Sequence, residues 1–253
     1  MCLSRITDPQ PTLGLAAGQV DLWFTRTERV APGLAAEYHA LLTQQEQAQQ
    51  RRFFFEKDRH RFLVTRALTR EVLSRYVPVA PADWRFEPDG YGKPHIVDPA
   101  GLAKRISFNI SHTDGLVAIG VALDRALGID VESIQRQAPL PIAGRYFAPF
   151  ESEALRRLPP HAQPRRFWEL KESYIKASYI KARGMGLSIP LDQFMFDLDV
   201  PGAVSIAFAR GFDDVPSRWR FRHMSPTEHH LMAVCTEVGP PVRLTVRETV
   251  PLS

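Results

Sequence analysis

Asp130 and Glu132 sit in the run LGIDVES, alternating with Ile129 and Val131. On an extended backbone that alternation puts both carboxylates on one face. Two neighbouring acids repel unless they are solvated, paired or bridged by a cation. A hard divalent ion such as Mg2+, completed by phosphate oxygens, is one solution. A wet edge strand with two solvated acids is the other. Downstream, FWELKESYIK (Phe167–Lys176) places Glu172 and Lys176 four residues apart, on one side of a helix. Such a pair is usually a surface ion pair worth a few tenths of a kcal/mol. Trp168, one turn earlier on the same side, argues instead for a cleft.

Ser111 and His112, in FNISH, follow a strand-like run and could contact phosphate, or could be structural. The dense basic segment Arg51, Arg52, Lys57, Arg59, His60 and Arg61 suits phosphate near a helix start, or a solvated face. Phe53 to Phe55, which interrupt it, are expected in the core. Gly184-Met185-Gly186 is a bare GxG and reads as a turn. No Ser-His-Asp order or G-x-S-x-G elbow suggests a hydrolase.

The elements that must position these residues come from a chain of 253 residues, enough for one large domain or two of ~125 residues. The net charge of +4 favours an anionic partner or simply keeps the chain soluble. No nucleic-acid-binding signature accompanies it. No apolar window approaches the ~18 residues of a membrane span, and the first residues lack a signal-peptide core. Cys2 and Cys235 form neither a disulfide framework nor a metal motif and fit a reducing cytosol. The expectation is a cytoplasmic protein with neither nucleic acid nor membrane as partner.

Strands are expected over residues 18–26, where Val20, Leu22 and Phe24 alternate, and over 106–109, 116–123, 127–132, 194–198, 204–208, 219–222 and 231–236, with a short one over 81–86. SHTDG reads as the turn between the second and third of these, and residues 89–96 as a connection. Helices are expected near 34–42, from Gln44 behind a Thr43/Glu46 capping box, over 60–76, within 141–158, and from Arg166 onward. Each half runs from a long helix through strands and a polar turn with histidine to a small-residue strand. This suggests duplicated halves meeting near Ala126. A sharper repeat is local: Ser173–Ala177 and Ser178–Ala182 both read SYIKA. Five extra residues turn a helix by ~140° net.

FNISH (108–112), GIDVE (128–132), FWELKESYIK (167–176) and GMGLSIPLDQF (184–194), in this order and spacing, resemble the 4'-phosphopantetheinyl transferases. RRFFFEKDRHR (51–61) and YGKPHI (91–96) resemble the large monomeric branch that activates non-ribosomal peptide synthetases such as surfactin synthetase. The resemblance implies an α+β fold of two similar subdomains, 1–126 and 127–253, related by pseudo-twofold symmetry with the site in their cleft. It implies a monomer that moves the phosphopantetheine arm of coenzyme A to a serine of an apo acyl or peptidyl carrier protein, a holo-[acyl-carrier-protein] synthase type of activity releasing 3',5'-ADP. Asp130, Glu132 and Glu172 would hold Mg2+, and Glu172 would be the base. Lys176 would steady the phosphates or protonate the leaving group. Ser111, His112 and Lys93 would contact phosphates, and Arg61, with His60 beside it, the 3'-phosphate end. Some relatives carry lysines where this chain has Glu46 and Gln49, which leaves Arg51 or Arg52 to help grip that phosphate. Counting from Glu172 makes Lys176 the motif lysine, whereas counting back from Gly184 makes it Lys181. The expectation is Lys176, with the extra residues looped out or extending the helix.

Two other readings remain: a different Mg2+-dependent phosphoryl-transfer enzyme using the same carboxylates, and a non-catalytic module that binds coenzyme A or a carrier.

Overall fold

The computed structural model describes residues 13–97, 104–135, 138, 140–143, 149–170, 174–190, 193–197, 204–239 and 243–253. Glu172 and Cys2 lie outside them. Strand β1 (Gln19–Arg26) leads to helices α1 (Leu34–Ala40), α2 (Gln44–Arg51) and α3 (Glu56–Ser74). The hairpin β2 (Phe86–Pro88) and β3 (Pro94–Ile96) follows, then β4 (Ile106–Thr113) and β5 (Leu116–Leu123). The same order recurs. Strand β6 (Leu127–Ser133) is followed by α4 (Pro149–Arg157), α5 (Gln163–Leu170) and α6 (Tyr174–Arg183). A second hairpin, β7 (Phe194–Asp197) with β8 (Ser205–Phe208), precedes β9 (Trp219–Thr227) and β10 (His230–Glu237). Strand β11 (Arg243–Glu248) comes last.

The two larger sheets repeat one topology: β1-β5-β4 in the first and β6-β10-β9 in the second, antiparallel throughout. The fold is therefore mixed α and β in two sheet-and-helix regions. β11 crosses back and pairs in parallel with β1, so the chain's final strand extends the first sheet.

Strand alternation explains the layering. In β5, Val117, Ile119 and Val121 face the core around α3, while Leu116, Ala118 and Ala122 face the second sheet. There they meet Leu127, Ile129 and Val131 of β6 and Met232 and Val234 of β10. A third core, around Tyr179, Phe194, Trp219 and Phe221, lies between α6 and the far face of that second sheet. The order is thus α3, first sheet, second sheet, α6.

Local signals were accurate where short-range chemistry sets the structure. Thr43 caps Glu46 N–H while the Glu46 carboxylate accepts from Thr43 N–H, starting α2 at Gln44. Glu46 also pairs with the buried Arg70 at 2.6 Å, so the cap anchors α3 as well.

Other expectations need correction. Residues 81–86 are not a strand: Pro81–Asp83 form a 3-10 turn, and pairing begins at Phe86. The connection 89–96 contains β3. Phe54 and Phe55 are not core residues; at 85% and 58% exposure they form an edge-to-face pair at the surface. Ser111 and His112 lie within β4 rather than in a turn, because the turn narrows to Asp114-Gly115.

Candidate functional site

Strands β4 and β6 are edge strands of different sheets, brought side by side without pairing as a ladder. An edge strand aims alternate backbone N–H groups outward, and each needs an acceptor. The polar residues of FNISHT supply them. Asn109 Oδ1 accepts from Ile129 N at 2.9 Å, Ser111 Oγ from Val131 N at 3.2 Å, and Thr113 Oγ1 from Ser133 N at 3.3 Å. Asn109 and Thr113 were not singled out from the sequence, although their period of two was the available signal.

This zipper fixes Asp130. Ser111 Oγ, held by Val131 N, donates to Asp130 Oδ1 at 2.8 Å. Glu132 follows two residues later on the same strand face and is partly buried. Gly128, two residues before Asp130, lets α6 cross this face. A Cβ there would collide with the Ser178 carbonyl and the Ala182 amide, so the glycine of GIDVE sets how closely the helix approaches.

The lysine that α6 delivers is Lys181. Its Nζ lies 2.7 Å from Asp130 Oδ1 and 2.9 Å from Ser111 Oγ. Lys176, the residue favoured by counting from Glu172, is instead 99% buried, with its ammonium 5.3 Å from the Phe194 ring centroid. Five residues separate the two lysines, and the ~140° of net rotation sends them to different sides. Gly184 ends the helix in the left-handed conformation at φ 72°, with Gly186 also left-handed at 55°. GMG is thus a turn.

Lys93 joins the group from the β2–β3 hairpin, donating to the Lys181 carbonyl at 3.0 Å near the helix's C-terminal end. Burial pushes its ammonium pKa down, with Asp89 opposing. His112 remains open to solvent on one side, yet its imidazolium is disfavoured, first by crowding of the ring and then by Arg61 and Lys181. Asp130 pulls the other way. Arg61 pairs with Asp58 at 2.6 Å and stands 3.9 Å from Asp114. His60 contacts the Thr27 carbonyl at 3.2 Å, and Arg52 closes α2 exposed to solvent.

Direct contacts therefore join Asp130, Ser111, Lys181 and Lys93, and the charges of Asp130, Lys181 and Arg61 reach His112. Among the described residues no three His, Cys, Asp or Glu side chains converge as a metal cage. The hard oxygen donors Asp130 and Glu132 on one strand face nevertheless suit Mg2+, which takes few protein carboxylates and relies on phosphate oxygens and water.

Two family models match: "4'-phosphopantetheinyl transferase, N-terminal" over residues 23–123 and "4'-phosphopantetheinyl transferase superfamily" over residues 126–235. The chain belongs to the 4'-phosphopantetheinyl transferase superfamily. It is 33% identical to 4'-phosphopantetheinyl transferase HetI of Nostoc over 172 residues, 66% of this chain and 72% of the relative. A 4'-phosphopantetheinyl transferase of Bacillus subtilis is 34% identical over 188 residues, 73% and 77% of the two chains. Sfp of Bacillus subtilis strain 168 is 38% identical over 156 residues, 62% and 66%. This transferase uses coenzyme A to modify carrier proteins. Among the described residues no helix is long and apolar enough to cross a membrane.

Proposed function

We propose that the enzyme converts an apo acyl or peptidyl carrier to its holo form, a holo-[acyl-carrier-protein] synthase activity, with Mg2+ held by Asp130, Glu132 and Glu172. The observation that carries the site assignment is the Asp130–Ser111–Lys181 contact at the meeting of β4, β6 and α6. The attacked phosphorus is surrounded by negative charge, which a divalent ion at these carboxylates would offset. Lys181, rather than Lys176, is the lysine we assign to the pyrophosphate, where its ammonium would stabilise charge on the departing oxygen. Lys93, Ser111 and His112 are assigned to the phosphates. Arg61, with His60 and the exposed Arg52 near the same segment, is assigned to the 3'-phosphate end. Glu172 is the proposed base for the carrier serine, a weak nucleophile that needs a proton acceptor within hydrogen-bond reach.

The recurrence of element order around Ala126 supports subdomains 1–126 and 127–253, with β11 crossing back. The buried free thiol of Cys235 supports a cytoplasmic location for this monomer. The deciding experiment incubates the protein with coenzyme A, Mg2+ and purified apo carriers, one from a fatty-acid synthase and one from a peptide synthetase. The expected result is a carrier mass gain of one phosphopantetheine arm, lost on chelation of the metal and reduced at least ~100-fold by Glu172→Ala. No gain on either carrier would reject the assignment.

A further inference from the structure

Helix α6 contains a register problem that its own sequence creates. Shifted along its axis by five residues, it would offer nearly the same side chains to the same neighbours. Lys176 would replace Lys181 at Asp130, and Tyr174 would replace Tyr179 in the aromatic nest of Phe194, Trp219 and Phe208. Small residues would still cross Gly128, with Ser173 and Ala177 taking the places of Ser178 and Ala182. Packing and the lysine contact therefore discriminate weakly between the two copies of SYIKA.

Two described features break the degeneracy. One is the left-handed Gly184 that ends the helix, where a shift would put Tyr179. The other is Asp214, whose carboxylate is 99% buried. It accepts from Tyr179 Oη at 2.8 Å, Trp219 Nε1 at 2.9 Å and Arg183 Nη1. The shifted helix would keep a tyrosine for Asp214 but bring Ser178 to the position of Arg183. A buried carboxylate that loses its bonded guanidinium is costly, and Arg218, half-exposed and 3.8 Å from the other carboxylate oxygen, does not replace that bond.

We propose that Asp214, through Arg183, is the positioning residue that selects which copy of the repeat presents its lysine to Asp130. It touches neither substrate nor the reacting atoms. It acts by holding α6 in one of two near-equivalent registers. The functional consequence rests on the assignment of Lys181 to the site, while the register itself can be read without activity.

The test combines transfer rates with fluorine NMR on protein carrying 3-fluorotyrosine at position 179. With Arg183 present, Lys181→Ala should lower the rate about 100-fold, because Lys176 is held away. In Arg183→Ser, the added Lys181→Ala should cost at least tenfold less, because Lys176 can now reach Asp130. Adding Lys176→Met should abolish that residual rate. The fluorine spectrum should show one Tyr179 resonance in the parent and two in Arg183→Ser. Arg183→Lys should restore the parent pattern of both readouts. A general loss of stability in Arg183→Ser would lower every rate without making Lys176 matter. Equal costs of Lys181→Ala in both backgrounds, with a single fluorine resonance, would overturn the proposal. If Lys181→Ala is silent in both, the site assignment fails and the fluorine spectrum alone decides the register. Asp214→Asn, which keeps the side chain's shape, repeats the measurement should Arg183→Ser fail to fold.

Discussion

Lys181 Nζ lies 2.7 Å from Asp130 Oδ1, while Lys176, an identical residue in an identical five-residue context, is buried against Phe194. Helix geometry separates the two lysines, since five residues are not a whole number of turns, and the surroundings of the helix decide which of them faces Asp130. Removing the Lys181 ammonium should lower carrier modification on the order of 100-fold. Lys176→Met should preserve the rate within a few-fold, because Met keeps most of the buried volume. Side-by-side rates of the two variants check this.

Deleting residues 173–177 should leave a folded protein in which Tyr179, Lys181 and Arg183 keep their places relative to Gly128 and Asp214. Denaturant unfolding and the fluorine resonance of 3-fluorotyrosine at position 179 measure it, and a resonance displaced from the parent's in a folded product would contradict the register described above.

Gly128→Ala should be severely destabilising. A methyl group there meets backbone rather than a flexible side chain, so α6 itself must move. Overpacking of this kind costs typically ~1–3 kcal/mol or more. The displaced helix would also draw Lys181 from Asp130, so rate should fall even where the variant remains folded. Denaturant unfolding and transfer rates together separate the two effects.

Strand β11 is anchored by charge as well as by pairing. The fully buried Asp21 accepts from Tyr76 Oη at 2.6 Å and pairs with Arg247 at 3.1 Å. Arg247 also covers the Trp23 ring at 4.9 Å. Arg247→Ala should cost about 1–3 kcal/mol by leaving the buried Asp21 carboxylate without its ion-pair partner. The Tyr76 and Gln19 bonds to Asp21 limit the loss. A shift in the denaturant midpoint is the measurement.

The depressed pKa of His112 makes a signed prediction. Its ordinary value is 6.5, and the folded protein holds it lower through burial and the nearby Arg61 and Lys181. As pH falls through 6.5, the unfolded chain takes up this proton before the folded one does. Stability therefore falls with falling pH until the folded pKa is passed, and the contribution is fully present above 6.5. His112→Gln should flatten this part of the stability profile between pH 7 and 5, as read by denaturant unfolding at each pH.

Much of the fold was legible because its signals are local. The Thr43/Glu46 box starts α2, and the unbroken apolar run LVAIGVAL gives β5 its two buried faces. The C-terminal RLTVRE also alternates, but nothing local says that it returns to pair with β1. Phe54 and Phe55 misled because hydrophobicity alone does not say which side of a turn faces solvent. At the site, Asp130, Ser111 and Lys93 could be picked from motifs, whereas Asn109 and Thr113 showed only their period of two and Asp214 showed no signal. Their roles depend on strands and loops distant in sequence.

By itself the sequence determined the chemistry available: paired carboxylates on one strand face, a following helix with lysines, and a polar alternating strand. Those properties follow from residue type and backbone period. Only the tertiary structure decided which lysine reaches Asp130. The two copies of SYIKA are chemically identical, so their difference lies wholly in what surrounds them: Gly128 beneath the helix, Asp214 beside it and Gly184 at its end.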